Sequence, residues 1–253
     1  MDETIQTVLQ QIEAERGVRI LYAVESGSRA WGFASPDSDY DVRFVYARPV
    51  RDYLSVNPPR DVIELPVTDL LDVNGWDLFK ALLLFRKSNP PLLEWLFSPI
   101  VYWERGAFAE NLRALAQSHY SARRMMYHYL NMARNAYSAI EGREEVAAKK
   151  YLYVLRPLVC IRWIEQRSTP PPTSISEGLE GAALAHDVRV KLSELLERKR
   201  ELGELGTMPP DPVLSGFIAE EIERIAGLVA TAPDEVMDAA PLNALAWREL
   251  GLE

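Results

Sequence analysis

Residues 24–46 read VESGSRAWGFASPDSDYDVRFVY. The stretch begins at the end of an apolar, β-branched run, VRILYAV (18–24), which reads as a strand. A Gly27-Ser28 turn follows, then a short helical stretch and a polar loop. Asp39 and Asp41 flank Tyr40 at the head of a second strand, DVRFVYA (41–47). Residues i and i+2 of a strand point to the same face, so the two carboxylates project together. Two such charges repel, and one of them is pushed up in pKa. A divalent cation between them relieves the repulsion. Hard oxygen ligands suit Mg²⁺, which is usually held by a few carboxylates plus substrate phosphates. A two-metal site for phosphoryl or nucleotidyl transfer has this composition. Ser, Pro and Asp also favour solvated turns, and SPDSDYD taken alone reads first as one. The upstream GSRAWG distinguishes the readings. A Gly-Ser turn opening a helix offers backbone N–H groups and a hydroxyl to phosphate oxygens.

Outward from this stretch, residues 2–16 have Ile5, Val8, Leu9 and Ile12 on one helical face, stopped by Gly17. DVIELPV (61–67) and LLDV (70–73) read as further strands. Asn74-Gly75 reads as a turn before the helix WDLFKALLLFRKSN. Pro90-Pro91 opens another short helix, and PIVYW reads as a last strand. From Glu104 the texture becomes helical, over 104–118, 120–141, 144–167, 185–202, 212–230 and 241–251. A Pro-rich loop, STPPPTSIS, covers 168–176. Strands mixed with helices, then helices alone, predict a mixed α/β domain followed by a helical one.

The chain has 253 residues, 48% hydrophobic and 26% charged, ordinary for a water-soluble protein with a sizeable core. A net charge of −9 argues against a general electrostatic nucleic-acid binder, though not against a local basic groove. The single cysteine, Cys160, excludes an intramolecular disulfide and a cysteine zinc site, and its apolar helical setting suits a buried thiol. The polar, acidic start MDETIQTVLQ is unlike a secretory signal, and no apolar run approaches the ~18 residues of a membrane span. The expected setting is a reducing cytoplasm, with no membrane partner.

Gly27-Ser28 followed by Ser38-Asp39-Tyr40-Asp41-Val42 resembles the signature of DNA-polymerase-β-like nucleotidyltransferases. The longer string from Glu25 to Tyr46, with NGWDLFKALLL and KSNPPLLEWL downstream, resembles a narrower bacterial group, described as predicted nucleotidyltransferases of an RNA-repair pathway. The likeness is strongest over 24–98 and extends over 120–172. It implies an α+β chain with a nucleotidyltransferase domain over 1–104, a small mixed sheet flanked by helices, and a helical bundle over 105–253. It implies transfer of a nucleoside monophosphate from an NTP to an acceptor hydroxyl, an RNA 3′ end or a damaged tRNA, with pyrophosphate released. The alternatives are a small-molecule or protein-side-chain acceptor, or a nucleotide-binding protein without catalysis. Asp39 and Asp41 would hold two Mg²⁺ ions. Gly27 and Ser28 would bind the β and γ phosphates, with Arg29 assisting. The superfamily's third acid has three candidates. Asp72, a hydrophobic-flanked acid leading into a helix, has the favoured context. Glu64 is the alternative, and Asp69 reads as a turn residue.

Residues 119–168 carry nine Lys/Arg against four Asp/Glu, a local positive excess in an acidic chain. Arg124, His128, Asn131 and Asn135 form one helical stripe. Lys149, Tyr153 and Arg156 form another, with Lys150 beside it. Arg and Lys suit a triphosphate, and Tyr153 suits stacking on a base or sugar. The competing reading is a solvated helix face. Pro157 predicts a kink or break after Arg156. Trp31, Trp76 and Trp95 read as core residues rather than base platforms.

Overall fold

The computed structural model describes residues 1–67, 70–202, 206–234 and 237–252. In chain order the first elements are α1 (Asp2–Arg16), β1 (Arg19–Glu25), α2 (Gly27–Ala30), β2 (Tyr40–Ala47), α3 (Val50–Tyr53), β3 (Val62–Glu64) and β4 (Leu71–Asp77). Next come α4 (Leu78–Arg86), α5 (Pro90–Leu96), β5 (Val101–Glu104), α6 (Phe108–Ser118), α7 (Ala122–Tyr137), β6 (Val146–Ala147) and α8 (Ala148–Arg167). The last are α9 (Ile175–Gly181), α10 (His186–Leu202), β7 (Thr207–Met208), α11 (Pro212–Thr231) and α12 (Ala240–Leu250).

The class is mixed α+β, as the sequence implies. Contacts divide the chain into two compact units, neither continuous in sequence. The first takes residues up to Gly27, then Asp39–Tyr120, and the C-terminal segment with α12. The second takes Ser28–Ser38 and the helices from α7 to α11. The linear division at 104/105 thus differs from the contact grouping in three places: α6, α12 and the segment 28–38.

In the first unit a five-stranded sheet has the order β3-β4-β2-β1-β5. β2 pairs parallel with β4, and the other pairs are antiparallel. Ile5, Leu9 and Ile12 of α1 pack with Ile20, Val42, Phe44, Tyr46, Ile63 and Val73 of the sheet. The two-residue period of β2 puts Val42, Phe44 and Tyr46 in this core and turns Asp41 and Arg43 to the other face. Asn74 and Gly75 lie inside β4, not in the turn expected from the dipeptide. Gly75 pairs in register with Phe44, and a Cβ on Gly75 would overlap the Phe44 ring. Glycine is here because a ring crosses its backbone. The strand instead runs to Asp77, whose carboxylate accepts from the Phe79 N–H at 3.0 Å and caps α4.

In the second unit α8 packs on α7, α9, α10 and α11. It runs unbroken through Pro157, so of the kink or break expected there the break does not occur. The expected helix from 144 starts at 148, because Val146 and Ala147 pair with Met208 and Thr207 in a two-stranded ribbon. Glu221 of α11 is buried and takes Arg162 on both oxygens at 2.8 Å, with Arg224 on the same carboxylate. Cys160 is buried in α8, as expected. The Pro-rich loop runs into a short helix, α9, whose Ile175 N–H donates to the Trp31 carbonyl at 3.0 Å.

Candidate active site

Glycine begins the site. Gly27 has φ +58, a left-handed backbone that side chains other than hydrogen rarely adopt. A Cβ there would overlap Asp41 Oδ2 and stand 2.8 Å from Asp41 Cγ. The absent side chain of Gly27 therefore makes room for the Asp41 carboxylate. The Ser26 N–H donates to the Asp41 carbonyl at 2.8 Å, so the turn and the head of β2 are tied together.

The parallel register then sets Asp41 opposite Asp72 on β4, both on the face away from α1. Burial pushes the Asp41 carboxyl up in pKa. The Arg43 guanidinium opposes this rise, while the charges of Asp72 and Asp39 add to it. Arg43, two residues along β2, bridges the acids. Its Nη2 donates to Asp41 Oδ1 at 2.8 Å and to Asp72 Oδ2 at 2.7 Å. Its Nη1 donates to the Asp72 carbonyl at 3.0 Å and the Val42 carbonyl at 3.2 Å. Asp39, just before β2, is exposed.

Sequence reasoning missed two residues here. Arg43 is one, since a bridge to β4 depends on a register that local pattern does not reveal. Glu25 is the other. It ends β1 fully buried, and its Oε1 accepts the Asp41 backbone N–H at 2.8 Å. Its Oε2 accepts the Tyr102 hydroxyl of β5. Burial, then the bond to Glu25, pushes the Tyr102 phenol up in pKa, so it stays a donor. A glutamate closing the apolar strand RILYAVE was the available signal.

Of the other third-acid candidates, Glu64 lies on edge strand β3, opposite Asn74. It is exposed and paired to Arg60 at 2.8 Å. Asp69 lies outside the described residues. The first unit thus brings together Gly27, Asp41 and Asp72, with Asp39 beside Asp41 in chain and charge.

The remaining expected site residues belong to the second unit. Arg29 Nη2 donates to the Ser38 carbonyl at 2.7 Å, and the Phe33 N–H donates to the Ser28 carbonyl at 3.1 Å. Lys149 is half-buried at the start of α8, and Lys150 is exposed. Asp37 is held below the ordinary carboxylate range by a hydrogen bond from Ser35, with its own backbone and then Lys199 and Lys149 contributing. Tyr153 is exposed and meets the Trp31 ring edge-on at 6.1 Å. Arg156 is buried, 2% exposed, with its guanidinium 4.2 Å from the Trp31 ring centre. Arg124, at the head of the other stripe, pairs with Asp234 at 2.7 and 3.0 Å. Trp95 is buried, and Trp76 packs on it with ring centres 3.9 Å apart.

Among the described residues, no three His, Cys, Asp or Glu side chains are disposed to hold a metal ion. The donor chemistry nevertheless fits a hard divalent cation. Two carboxylates stand in register, and a cationic nitrogen already bridges the pair. No described helix is long and apolar enough to cross a membrane.

Residues 1–248 match the family described as RNA repair pathway DNA polymerase beta family (RlaP), and the chain belongs to that family. It is 49% identical over 226 residues to the Bacillus subtilis (strain 168) protein named "Uncharacterized protein YcgL", covering 89% of this chain and 86% of that protein. A crystal structure described as a nucleotidyltransferase-like protein from Exiguobacterium sibiricum 255-15 aligns over all of this chain and 80% of its own. The identity is 14% and the TM-score 0.31, a likeness too distant to bear on the fold.

Proposed function

We propose that this protein is a nucleotidyltransferase that moves a nucleoside monophosphate from an NTP to the 3′ hydroxyl of an RNA. The observation that carries the reading is the in-register pair Asp41 and Asp72 set against the bare backbone of Gly27. Membership in a polymerase-β family supports it. The acceptor oxygen bonds to the α-phosphorus, the bond from that phosphorus to the bridging β-phosphate oxygen breaks, and pyrophosphate leaves. The hydroxyl proton passes to solvent as the oxygen attacks.

Asp39, Asp41 and Asp72 are the residues that would hold Mg²⁺, two ions in the full reading. When bound, the cations supply charge stabilisation to the phosphates and acidify the acceptor hydroxyl. Burial of Asp41 and the charge of Asp72 beside it disfavour the pair without a positive partner, which Arg43 supplies here. Glu25 fixes the backbone of Asp41, and so the direction of its carboxylate. The Gly27-Ser28 turn offers N–H groups to phosphate oxygens. Arg29, Lys149, Lys150, Tyr153 and Arg156 are proposed as the nucleotide-binding residues of the second unit.

The test is incubation with each α-³²P-labelled NTP and Mg²⁺, in the presence of total RNA, cell protein or small metabolites. Label in RNA supports the full reading. Label only in protein or a small molecule keeps the chemistry and replaces the acceptor. No label with any NTP, or equal label from Asp41→Asn, contradicts the proposal.

A further inference from the structure

Two carboxylates opposite each other on neighbouring strands repel, and the cost grows as water is excluded. Asp41 and Asp72 are in this position, with side chains 28% and 33% exposed. Their charge is met by a guanidinium from β2, the strand of Asp41. A single nitrogen, Arg43 Nη2, lies 2.8 Å from one carboxylate and 2.7 Å from the other. It thus sits where one cation touching both acids would sit. The second terminal nitrogen is anchored on two backbone carbonyls, of Asp72 and Val42. The Arg43 side chain is 17% exposed, so the bridge is a packed feature and not a loose surface pair.

We propose that Arg43 is an internal counter-ion that holds the acid pair in the metal-free protein and competes with the divalent cation for it. This rests on the reading of Asp41 and Asp72 as cation ligands. A divalent ion carries twice the charge of the guanidinium and approaches oxygen to about 2.0–2.1 Å if it is Mg²⁺. It therefore displaces Nη2 from the carboxylates when it binds. Arg43 has two effects: it lowers the apparent affinity for the cation, and it keeps the two strands stable without one. A positioning residue of this kind differs from an ordinary structural arginine in one respect. Its loss is made good by metal.

The experiment compares wild type with Arg43→Gln by Mn²⁺ titration calorimetry, and by thermal unfolding with and without Mn²⁺. Removing one unit charge from between the ligands should tighten Mn²⁺ binding by roughly tenfold, a modest figure for charges a few ångströms apart. Metal-free Arg43→Gln should unfold at a lower temperature than metal-free wild type, and saturating Mn²⁺ should close most of that gap. Equal or weaker Mn²⁺ binding by Arg43→Gln overturns the inference. So does a loss of stability that Mn²⁺ does not restore. If Arg43→Gln does not fold, Arg43→Lys carries the test. Its ammonium lacks the second arm that reaches the carbonyls, so Mn²⁺ should bind several-fold tighter than to wild type, and an unchanged affinity overturns the inference. If wild type and variant both leave Mn²⁺ unbound, the metal reading of the acids fails first, and the inference falls with it.

Discussion

Replacing Gly27 by alanine probes the contact on which the site is built. Two costs can be separated. The residue has φ +58, and placing a Cβ on a left-handed backbone costs about 1–2 kcal/mol. The Cβ would also overlap Asp41 Oδ2 and lie 2.8 Å from Asp41 Cγ, so the carboxylate must swing away. That movement breaks its 2.8 Å charge-assisted bond to Arg43. Such bonds are worth ~1.5–3 kcal/mol, and the lower end applies to a side chain with partial access to water. The total is about 3 kcal/mol. Gly17 supplies the control: it has φ +62, and nothing lies within 4 Å of its added Cβ. Gly17→Ala should therefore show only the backbone cost. Urea unfolding of both variants gives the difference, expected near 1.5 kcal/mol. In the transfer assay, a displacement of Asp41 by an ångström should cost roughly 10²-fold for Gly27→Ala and little for Gly17→Ala. If Gly27→Ala is no less stable than Gly17→Ala and equally active, the packing of Asp41 against Gly27 is refuted.

Four other outcomes follow from the rest of the structure. Asp72→Asn should lower nucleotide transfer by roughly 10²-fold or more, about 2.7 kcal/mol of barrier, while Glu64→Gln on the exposed edge strand should leave the rate near wild type; the reverse pattern would move the third acid to Glu64. Gly75→Ala should cost about 1–3 kcal/mol in urea unfolding, because the new methyl meets the Phe44 ring, and an unchanged midpoint would contradict the tight crossing. Glu221→Gln should cost about 2 kcal/mol, below the usual range for a broken buried pair because Arg162 and Arg224 keep access to water. Burial pushes Glu221 up, but hydrogen bonds from Arg224 and Arg162 outweigh it and hold the carboxyl below its ordinary value. Its folded pKa is thus depressed, so its stabilisation is complete above the ordinary carboxylate range and fades as pH falls through the lowered one. Acid unfolding should accordingly be steeper in wild type than in Glu221→Gln, and parallel acid limbs would remove Glu221 as their cause.

Gly27 and Asp41 were legible because their arrangement is local, a turn, a short loop and the head of a strand, whereas Asp39 stays outside β2 and does not project with Asp41 from alternate strand positions. Asp72 was legible only as a favoured choice among acids, because its place opposite Asp41 depends on a parallel register formed across distant parts of the chain. Arg43 and Glu25 were missed for the same reason. One reads as an ordinary strand cation and the other as a strand end until the neighbouring strands are set beside them. Asn74-Gly75 misled because a turn dipeptide also serves where a ring must cross a strand. The grouping of Ser28–Ser38 with the helical unit was invisible too, since it rests on contacts such as Lys199 Nζ to Ser35 Oγ at 2.8 Å, across 164 residues of sequence. The α1 stripe, by contrast, packs as its periodicity predicts.

The most direct test of the central claim is transfer of α-³²P label to a defined RNA, by wild type and by Asp41→Asn, with the RNA 3′ end either free or oxidised with periodate. The account predicts label only with wild type and the free 3′ end, with pyrophosphate released in equal amount. Label that persists on the periodate-treated RNA, or in Asp41→Asn at the wild-type rate, would contradict it.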